Sequence, residues 1–301
     1  MRRGVEYALA WLALKALGLL PRRLARVAGA AMGRMVYWFH RRLRRVGAFN
    51  LGIAFPQMPP AERRRILKRM YRGLGWMLAE FAQFPRWAAA KAMPILIYDG
   101  FENFTRASEK GKGVICLTAH FGGWELSAFA HALYGYPLAY LNRPLDNRRL
   151  DGLINRYRCL SGCRAIDKNE SARAIVKLLR GGGGVGILAD QNMQPAEGVF
   201  VPFFGVPACT TSAIARIALK TGAAVVPSFV LWDSAARQYR LRFEPEVEMI
   251  STGDEEKDAV TNTARLAAIL EQRVREYPDH WLWVHKRWHT RPPGEQPLYP
   301  L

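Results

Sequence analysis

The chain has 301 residues, of which 50% are hydrophobic, and this composition excludes a disordered, collagen-like or coiled-coil protein. The length suits one large α/β domain, alone or with an N-terminal appendage. Its 44 Lys and Arg residues outnumber its 25 Asp and Glu residues, which gives a net charge of +19. Residues 1–50 carry ten Arg and one Lys against Glu6, a net +10. Such a charge suits an anionic membrane surface, nucleic acid or an acidic protein, and charge alone does not choose among them.

The N-terminal segment predicts two helices. Residues 5–20 read VEYALAWLALKALGLL, a run of 16 that contains Glu6 and Lys15, whereas a spanning helix uses about 20 apolar residues. A second helical stretch runs from Leu24 to about Phe39. Three interpretations stay open: a marginal transmembrane anchor, two ordinary core helices, or a pair of amphipathic helices lying in the membrane interface, which we favour slightly.

Four arginines follow this stretch directly: Arg41, Arg42, Arg44 and Arg45. Because positive charge is retained on the cytoplasmic side, we expect the rest of the chain to stay there. The sequence therefore predicts membrane-anchoring helices in residues 1–45 and a catalytic domain in residues 46–301.

The remaining chain alternates short apolar runs with helical segments. Residues 60–82 have the spacing of a basic amphipathic helix. Strands are predicted at 114–119, 138–141, 164–166, 185–189, 224–231 and 281–284, with an edge strand at 238–243; helices are predicted at 124–133, 146–160, 171–179, 211–220 and 257–276. This pattern predicts an α/β fold, with a mixed, largely parallel sheet flanked by helices. Reactive residues of such sheets cluster at the carboxyl ends of strands, where His120 and Asp190 fall.

The segment with the clearest chemistry is Val114-Ile-Cys-Leu-Thr-Ala-His120-Phe-Gly-Gly-Trp-Glu125. The strand delivers His120 to the sheet edge, and Gly122 and Gly123 allow a sharp turn and close approach of a substrate. Glu125 then lies in the first turn of the next helix and can reach back to the imidazole, which makes a general-base pair. The spacing of His120 and Glu125, taken alone, is also compatible with a histidine that is simply hydrogen-bonded in the core. No Gly-x-Ser-x-Gly elbow occurs, so we expect direct attack by an acceptor hydroxyl.

Four cysteines lack CxxC spacing and are interpreted as buried or incidental thiols: Cys116, Cys159, Cys163 and Cys209. We expect no metal and no cofactor. An aromatic run at Phe200, Phe203 and Phe204 is a candidate lining for an apolar tunnel, or an ordinary aromatic core.

The His120-Phe-Gly-Gly-Trp-Glu125 segment resembles the H-x4-D/E (HX4E) motif of the glycerophosphate-acyltransferase-like lysophospholipid acyltransferase superfamily. More specifically, it resembles the late acyltransferases of lipid A biosynthesis, the lauroyl and myristoyl transferases. Segments resembling this family follow in order along nearly the whole chain: RRVGAFNLGIAFP at 44–56, NRPLDN at 142–147, ADQ at 189–191, GVFVPFFG at 198–205, HWLWVHKRW at 280–288 and TRPPG at 290–294.

This resemblance implies an O-acyltransferase at the cytoplasmic face of the bacterial inner membrane. It would esterify a hydroxyl of a lipid A precursor, a glycolipid of lipopolysaccharide biosynthesis, with an acyl group from acyl carrier protein. His120 carries over as general base and Glu125 as its orienting partner. The implied substrate-binding residues are Arg143, Asp190, Gln191, Gly122, Gly123 and Trp124. The chain departs from the family at Gly123, where Asn is common. It also departs at His289, a position that is commonly basic but not His, so His285 and His289 are not interpreted as a zinc pair.

Three other functions remain as alternatives. The nearest is acyl transfer from acyl-CoA to another lipid, such as a lysophospholipid or a mannosylated phosphoinositide. A hydrolase would need an activated serine, which no motif indicates. A basic nucleic-acid-binding protein is the most distant, because no zinc-finger spacing, aromatic RNA motif or helix-turn-helix occurs, and we expect no nucleic-acid partner.

Overall fold

A seven-stranded sheet lies at the centre of the chain from residue 96 to residue 243. The structure is a computed structural model, and it describes residues 2–142, 144–167 and 171–299. The strands are β1 (Leu96–Asp99), β2 (Val114–Thr118), β3 (Leu138–Asn142), β4 (Arg164–Asp167), β5 (Gly184–Leu188), β8 (Ala224–Asp233) and β9 (Gln238–Phe243), while β6 (Gly198–Phe203) and β7 (Val206–Thr211) form a separate antiparallel hairpin. The sheet order is β1-β9-β8-β2-β5-β3-β4. Strands β8, β2, β5, β3 and β4 run parallel, and β9 runs antiparallel to β8.

Helices cover both faces of this sheet. They are α1 (Arg2–Leu19), α2 (Arg22–Phe39), α3 (Arg41–Ala54), α4 (Pro60–Ala82), α5 (Phe84–Ala90), α6 (Phe101–Glu109), α7 (Trp124–Leu133), α8 (Arg148–Arg158), α9 (Ser171–Arg180), α10 (Ala213–Thr221) and α11 (Glu255–Glu276). Because side chains alternate along a strand, β2 contributes Val114 and Cys116 to one buried core and Ile115 and Leu117 to the other. The predicted α/β fold with a mixed, largely parallel sheet is confirmed.

Two strand assignments differ from the sequence predictions, and three strands were not predicted. Trp281–Val284 is not a strand, and Trp281 makes a single bridge with Phe121. Gln238–Phe243 is a strand but not the edge, because β1 pairs with its outer side. Neither β1 nor the β6–β7 hairpin was predicted.

Helix α2 is packed tightly against α4 through glycines. A Cβ on Gly29 would lie 2.1 Å from the carbonyl oxygen of Gly75, and a Cβ on Gly75 would lie 2.0 Å from that of Gly29. Only residues without side chains allow this approach. Beside it, the fully buried Glu80 of α4 accepts hydrogen bonds from Arg22 and Arg26 of α2. In the described ranges no helix combines the length and the apolar character that a membrane crossing requires.

Candidate active site

Sheet order brings His120 and Asp190 together. Strands β2 and β5 are parallel neighbours in which Thr118 is paired with Leu188, so the residues two positions beyond each strand are also opposite one another. His120 Nδ1 lies 3.0 Å from Asp190 Oδ1. The indole Nε1 of Trp281 donates to the other carboxylate oxygen at 2.8 Å. Asp190 therefore fixes the imidazole and is itself fixed by a buried tryptophan.

The two partners shift each other's pKa. Burial by itself would raise the pKa of Asp190, but the charge and hydrogen bonds of His120, with the bond from Trp281, lower it to about 2. Burial lowers the pKa of His120, but the Asp190 carboxylate, with a smaller contribution from Glu125, outweighs burial and raises it above its ordinary value. With Asp190 ionised, Nδ1 carries the donated hydrogen and Nε2 of the neutral ring is left as a base.

Gln191 lies next to that base. Its side-chain Nε2 is 3.3 Å from His120 Nε2. The loop after β5 is held in place from behind, because the buried Arg287 donates to the Gln191 carbonyl at 3.2 Å and His285 Nε2 accepts from the Asn192 backbone N–H at 2.9 Å. The C-terminal segment 280–288, which contains His285 and Arg287, therefore supports the loop that carries Asp190 and Gln191.

Glu125 forms no hydrogen bond with the imidazole among the described contacts, contrary to the sequence expectation. It accepts two hydrogen bonds from Arg158 of α8, from Nε at 2.7 Å and from Nη2 at 2.5 Å. The carboxylate bonded to the His120 ring belongs to Asp190 instead. The expectation was wrong on this contact because β5, distant in sequence, lies directly beside β2.

The two glycines of the motif make the expected sharp turn, but the close approach is to the protein itself. Gly122 has φ +59°, and a Cβ there would lie 1.9 Å from the Val230 carbonyl oxygen. The backbone N–H of Gly122 donates to His280, and that of Gly123 donates to Val230. These two N–H groups are therefore not free to bind a substrate.

A cavity of about 570 Å³ extends from His120 along the sheet face that α7 covers. Trp124, whose ring is 5.4 Å from that of His120, lines it together with Gln191, Glu125 and Arg158. It continues to Cys116, four residues before His120, which is about 13 Å at the rise of a strand. Its other walls include Gly186, Ser228, Phe129 and Leu138. This size falls in the range of small-molecule sites, and its length suits an extended chain.

The aromatic run is not part of that cavity. Phe203 and Phe204 are buried in the core on the opposite side of the sheet, in contact with Trp281 and Trp283 respectively. The ordinary-core interpretation therefore holds for these two.

Arg143 lies outside the described residues. Sequence reasoning missed Arg158, since no local pattern distinguishes it from the other arginines of α8.

Known proteins resemble this chain over nearly its whole length. The chain matches the family described as Bacterial lipid A biosynthesis acyltransferase over residues 2–290. It is 29% identical over 298 residues to the lipid A biosynthesis palmitoleoyltransferase of Escherichia coli (strain K12), covering 98% of this chain and 95% of that protein. It is 27% identical over 298 residues to the lauroyltransferase of the same strain, covering 98% and 95%. It is 27% identical over 308 residues to the myristoyltransferase, covering 99% and 94%.

The family match over nearly the whole chain and the named relatives define this α/β protein as an acyltransferase. The chain belongs to the bacterial lipid A biosynthesis acyltransferase family, and it is an O-acyltransferase of that type. The family resemblance drawn from the sequence is confirmed.

Proposed function

We propose that this enzyme transfers a fatty acyl group from acyl carrier protein to a hydroxyl of a lipid A precursor, with His120 as general base. The observation that carries the proposal is the 3.0 Å contact between His120 and Asp190 beside a cavity long enough for an acyl chain. The Asp190 carboxylate directs the lone pair of Nε2 toward the space where the two substrates meet.

The chemistry needs no acyl-enzyme. Nε2 of His120 takes the proton of the acceptor hydroxyl while that oxygen attacks the thioester carbonyl carbon. Collapse of the tetrahedral intermediate breaks the C–S bond, and the imidazolium returns the proton to the leaving thiolate. Gln191 occupies the position beside Nε2 where the hydroxyl must lie, so we expect its amide to turn and bind the acceptor.

Glu125 acts through Arg158 in this proposal. The two hydrogen bonds hold the guanidinium at the cavity wall, where its charge stabilises the oxyanion of the intermediate. Glu125→Gln then lowers turnover, but shifts the pH dependence of His120 less than Asp190→Asn does. Equal shifts for the two variants would contradict this division of roles.

A basic pocket supports an anionic acceptor. Its volume is about 540 Å³, and six cations of α2 and α4 line it with two aromatic rings: Arg34, Arg64, Arg65, Lys68, Arg69, Arg72, Tyr37 and Trp38. Within the described part of the chain, Arg69 alone of the six forms an ion pair, a 4.0 Å contact with Asp279. Arg69 and Arg72 also line a cleft that reaches Gly122, so the pocket lies beside the turn that follows His120. We infer that it binds acceptor phosphates, with affinity that falls as salt increases.

Helices α1 and α2 are the proposed membrane surface, within the N-terminal unit 1–45. Among the described residues, eleven of the seventeen exposed large hydrophobic side chains lie on them: Val5, Leu9, Trp11, Leu12, Leu19, Leu24, Val27, Met35, Val36, Trp38 and Phe39. A surface this apolar beside arginines suits the interface of an anionic bilayer, here the cytoplasmic face of the bacterial inner membrane. Leu12→Asp with Val27→Asp should reduce sedimentation with anionic vesicles, whereas Ile250→Asp, at an exposed position elsewhere, should not.

The decisive test is a transfer assay with labelled acyl–acyl carrier protein and a lipid A precursor. His120→Ala should abolish transfer, and His289→Ala, which removes an exposed histidine, should not. Circular dichroism is the control that both variants are folded. Substantial turnover by folded His120→Ala would remove His120 from its role. Transfer only to a lysophospholipid or from acyl-CoA would keep the chemistry and reject the proposed substrates.

A further inference from the structure

A second apolar cavity lies beneath helix α1, separate from the one already described. This α1 groove measures about 440 Å³. Its walls include Leu9, Ala10 and Ala13 of α1, Met77 of α4 and Leu150 of α8. No catalytic step assigned so far uses it.

Helix α1 is attached at its two ends and spans the groove with its middle. At its C-terminal end, Gln83 donates a side-chain hydrogen bond to the Leu17 carbonyl at 2.8 Å. Near its N-terminal end, Asn147 donates to the Arg3 carbonyl at 2.7 Å. Between these points Leu9, Ala10, Ala13 and Leu14 line the groove, and the two small alanine side chains leave open space beneath the helix.

The groove and the His120 cavity meet at one place. Glu125, Ile154 and Arg158 line both of them. The Glu125–Arg158 ion pair therefore stands at the junction, with His120 on its other side. A chain in the α1 groove would end beside the reacting groups without entering the cavity that runs toward Cys116.

We propose that the α1 groove holds a hydrocarbon chain of the acceptor lipid, while the His120 cavity holds the donor acyl chain. This rests on the proposed function, since it assigns one apolar site to each of two substrates. The groove suits the acceptor because its wall includes Leu9, which is 62% exposed on the apolar outer surface of α1. A lipid can thus enter from a bilayer along one continuous apolar path. The donor arrives from water on its carrier and suits the cavity that runs inward along the sheet.

Filling the groove tests this assignment. Ala13→Trp should raise KM for the lipid A precursor about 15-fold, the equivalent of two buried methylene groups, without changing KM for acyl–acyl carrier protein. Ala8→Trp is the matched control, because Ala8 is exposed on the same helix and does not line the groove. It should leave both constants unchanged.

Two kinetic outcomes would overturn the proposal. One is acceptor kinetics of Ala13→Trp equal to those of Ala8→Trp. The other is a rise in donor KM that grows with donor chain length, which would give the groove to the donor. If Ala13→Trp does not fold, Met77→Trp, which fills the groove from α4, replaces it and should raise acceptor KM with donor KM unchanged.

A second measurement does not depend on turnover. A lipid A precursor with a photoreactive diazirine at a chain end should label α1 between Leu9 and Leu14, and excess unmodified precursor should suppress the labelling. Labelling confined to the walls around Cys116 and Gly186 would refute the assignment. If the photoreactive precursor labels α1 but the enzyme transfers no acyl group, the groove still binds the lipid and the proposed function is rejected.

Discussion

A side chain introduced at Gly186 is predicted to shorten the donor chain that the His120 cavity accepts. Gly186 lies in β5 opposite Cys116 of β2, and both residues line the His120 cavity. A Cβ added at Gly186 meets only the Ala139 carbonyl oxygen at 3.9 Å, an ordinary contact. A side chain placed there would therefore occupy cavity space without displacing the backbone.

The expected effect follows from the volume removed. Valine at position 186 adds three carbons and displaces about three methylenes of a bound chain, which at about 0.8 kcal/mol per buried methylene amounts to about 2.4 kcal/mol. This corresponds to roughly a 60-fold loss of kcat/KM for donors that reach Gly186. Gly186→Ala displaces one methylene and should cost about 4-fold. Donors too short to reach this position should react at the wild-type rate.

The assay is kcat/KM for acyl–acyl carrier proteins whose chains differ by two carbons. The shorter donors serve as an internal control for each variant, and thermal unfolding controls for stability, which should not fall because valine is favoured in strands. A loss that is equal at every chain length, or no loss at all, would refute the placement of the donor chain in this cavity.

Three further predictions concern the supports of the site. Asp190→Asn should lower the plateau of kcat roughly 10²- to 10⁴-fold. Because it removes the carboxylate that raises the pKa of His120 and leaves the burial that lowers it, the acidic limb of the pH–rate profile should move to lower pH. If the acidic limb does not move, Asp190 does not raise the pKa of His120. Trp281→Phe removes one hydrogen bond to Asp190 and should lower kcat by less than Asp190→Asn does. A loss as large as that of Asp190→Asn would contradict this ranking. Glu80→Ala leaves Arg22 and Arg26 unpaired and should reduce the free energy of unfolding by about 3 kcal/mol in thermal or urea denaturation, a loss below 1 kcal/mol being the contrary result.

Much of the fold was predictable because its signals are local. Hydrophobic periodicity located α7 at 124–133 and located β2 and β5 to within one residue, since burial of one face imposes a period on a short stretch of chain. The same reasoning failed for Trp281–Val284. That segment is apolar because its tryptophans fill the core and support Asp190, without pairing as a strand.

The sequence by itself determined the alternation of strands and helices from β2 to β5, the position of His120 after the end of β2, and the family. The tertiary structure alone decided which carboxylate contacts the imidazole, because that depends on β5 lying beside β2 in the sheet. It likewise decided that Glu125 pairs with Arg158, 33 residues away, and that two apolar cavities meet at this pair. Contacts between distant segments follow from sheet order and helix packing, and no local pattern of residues encodes them.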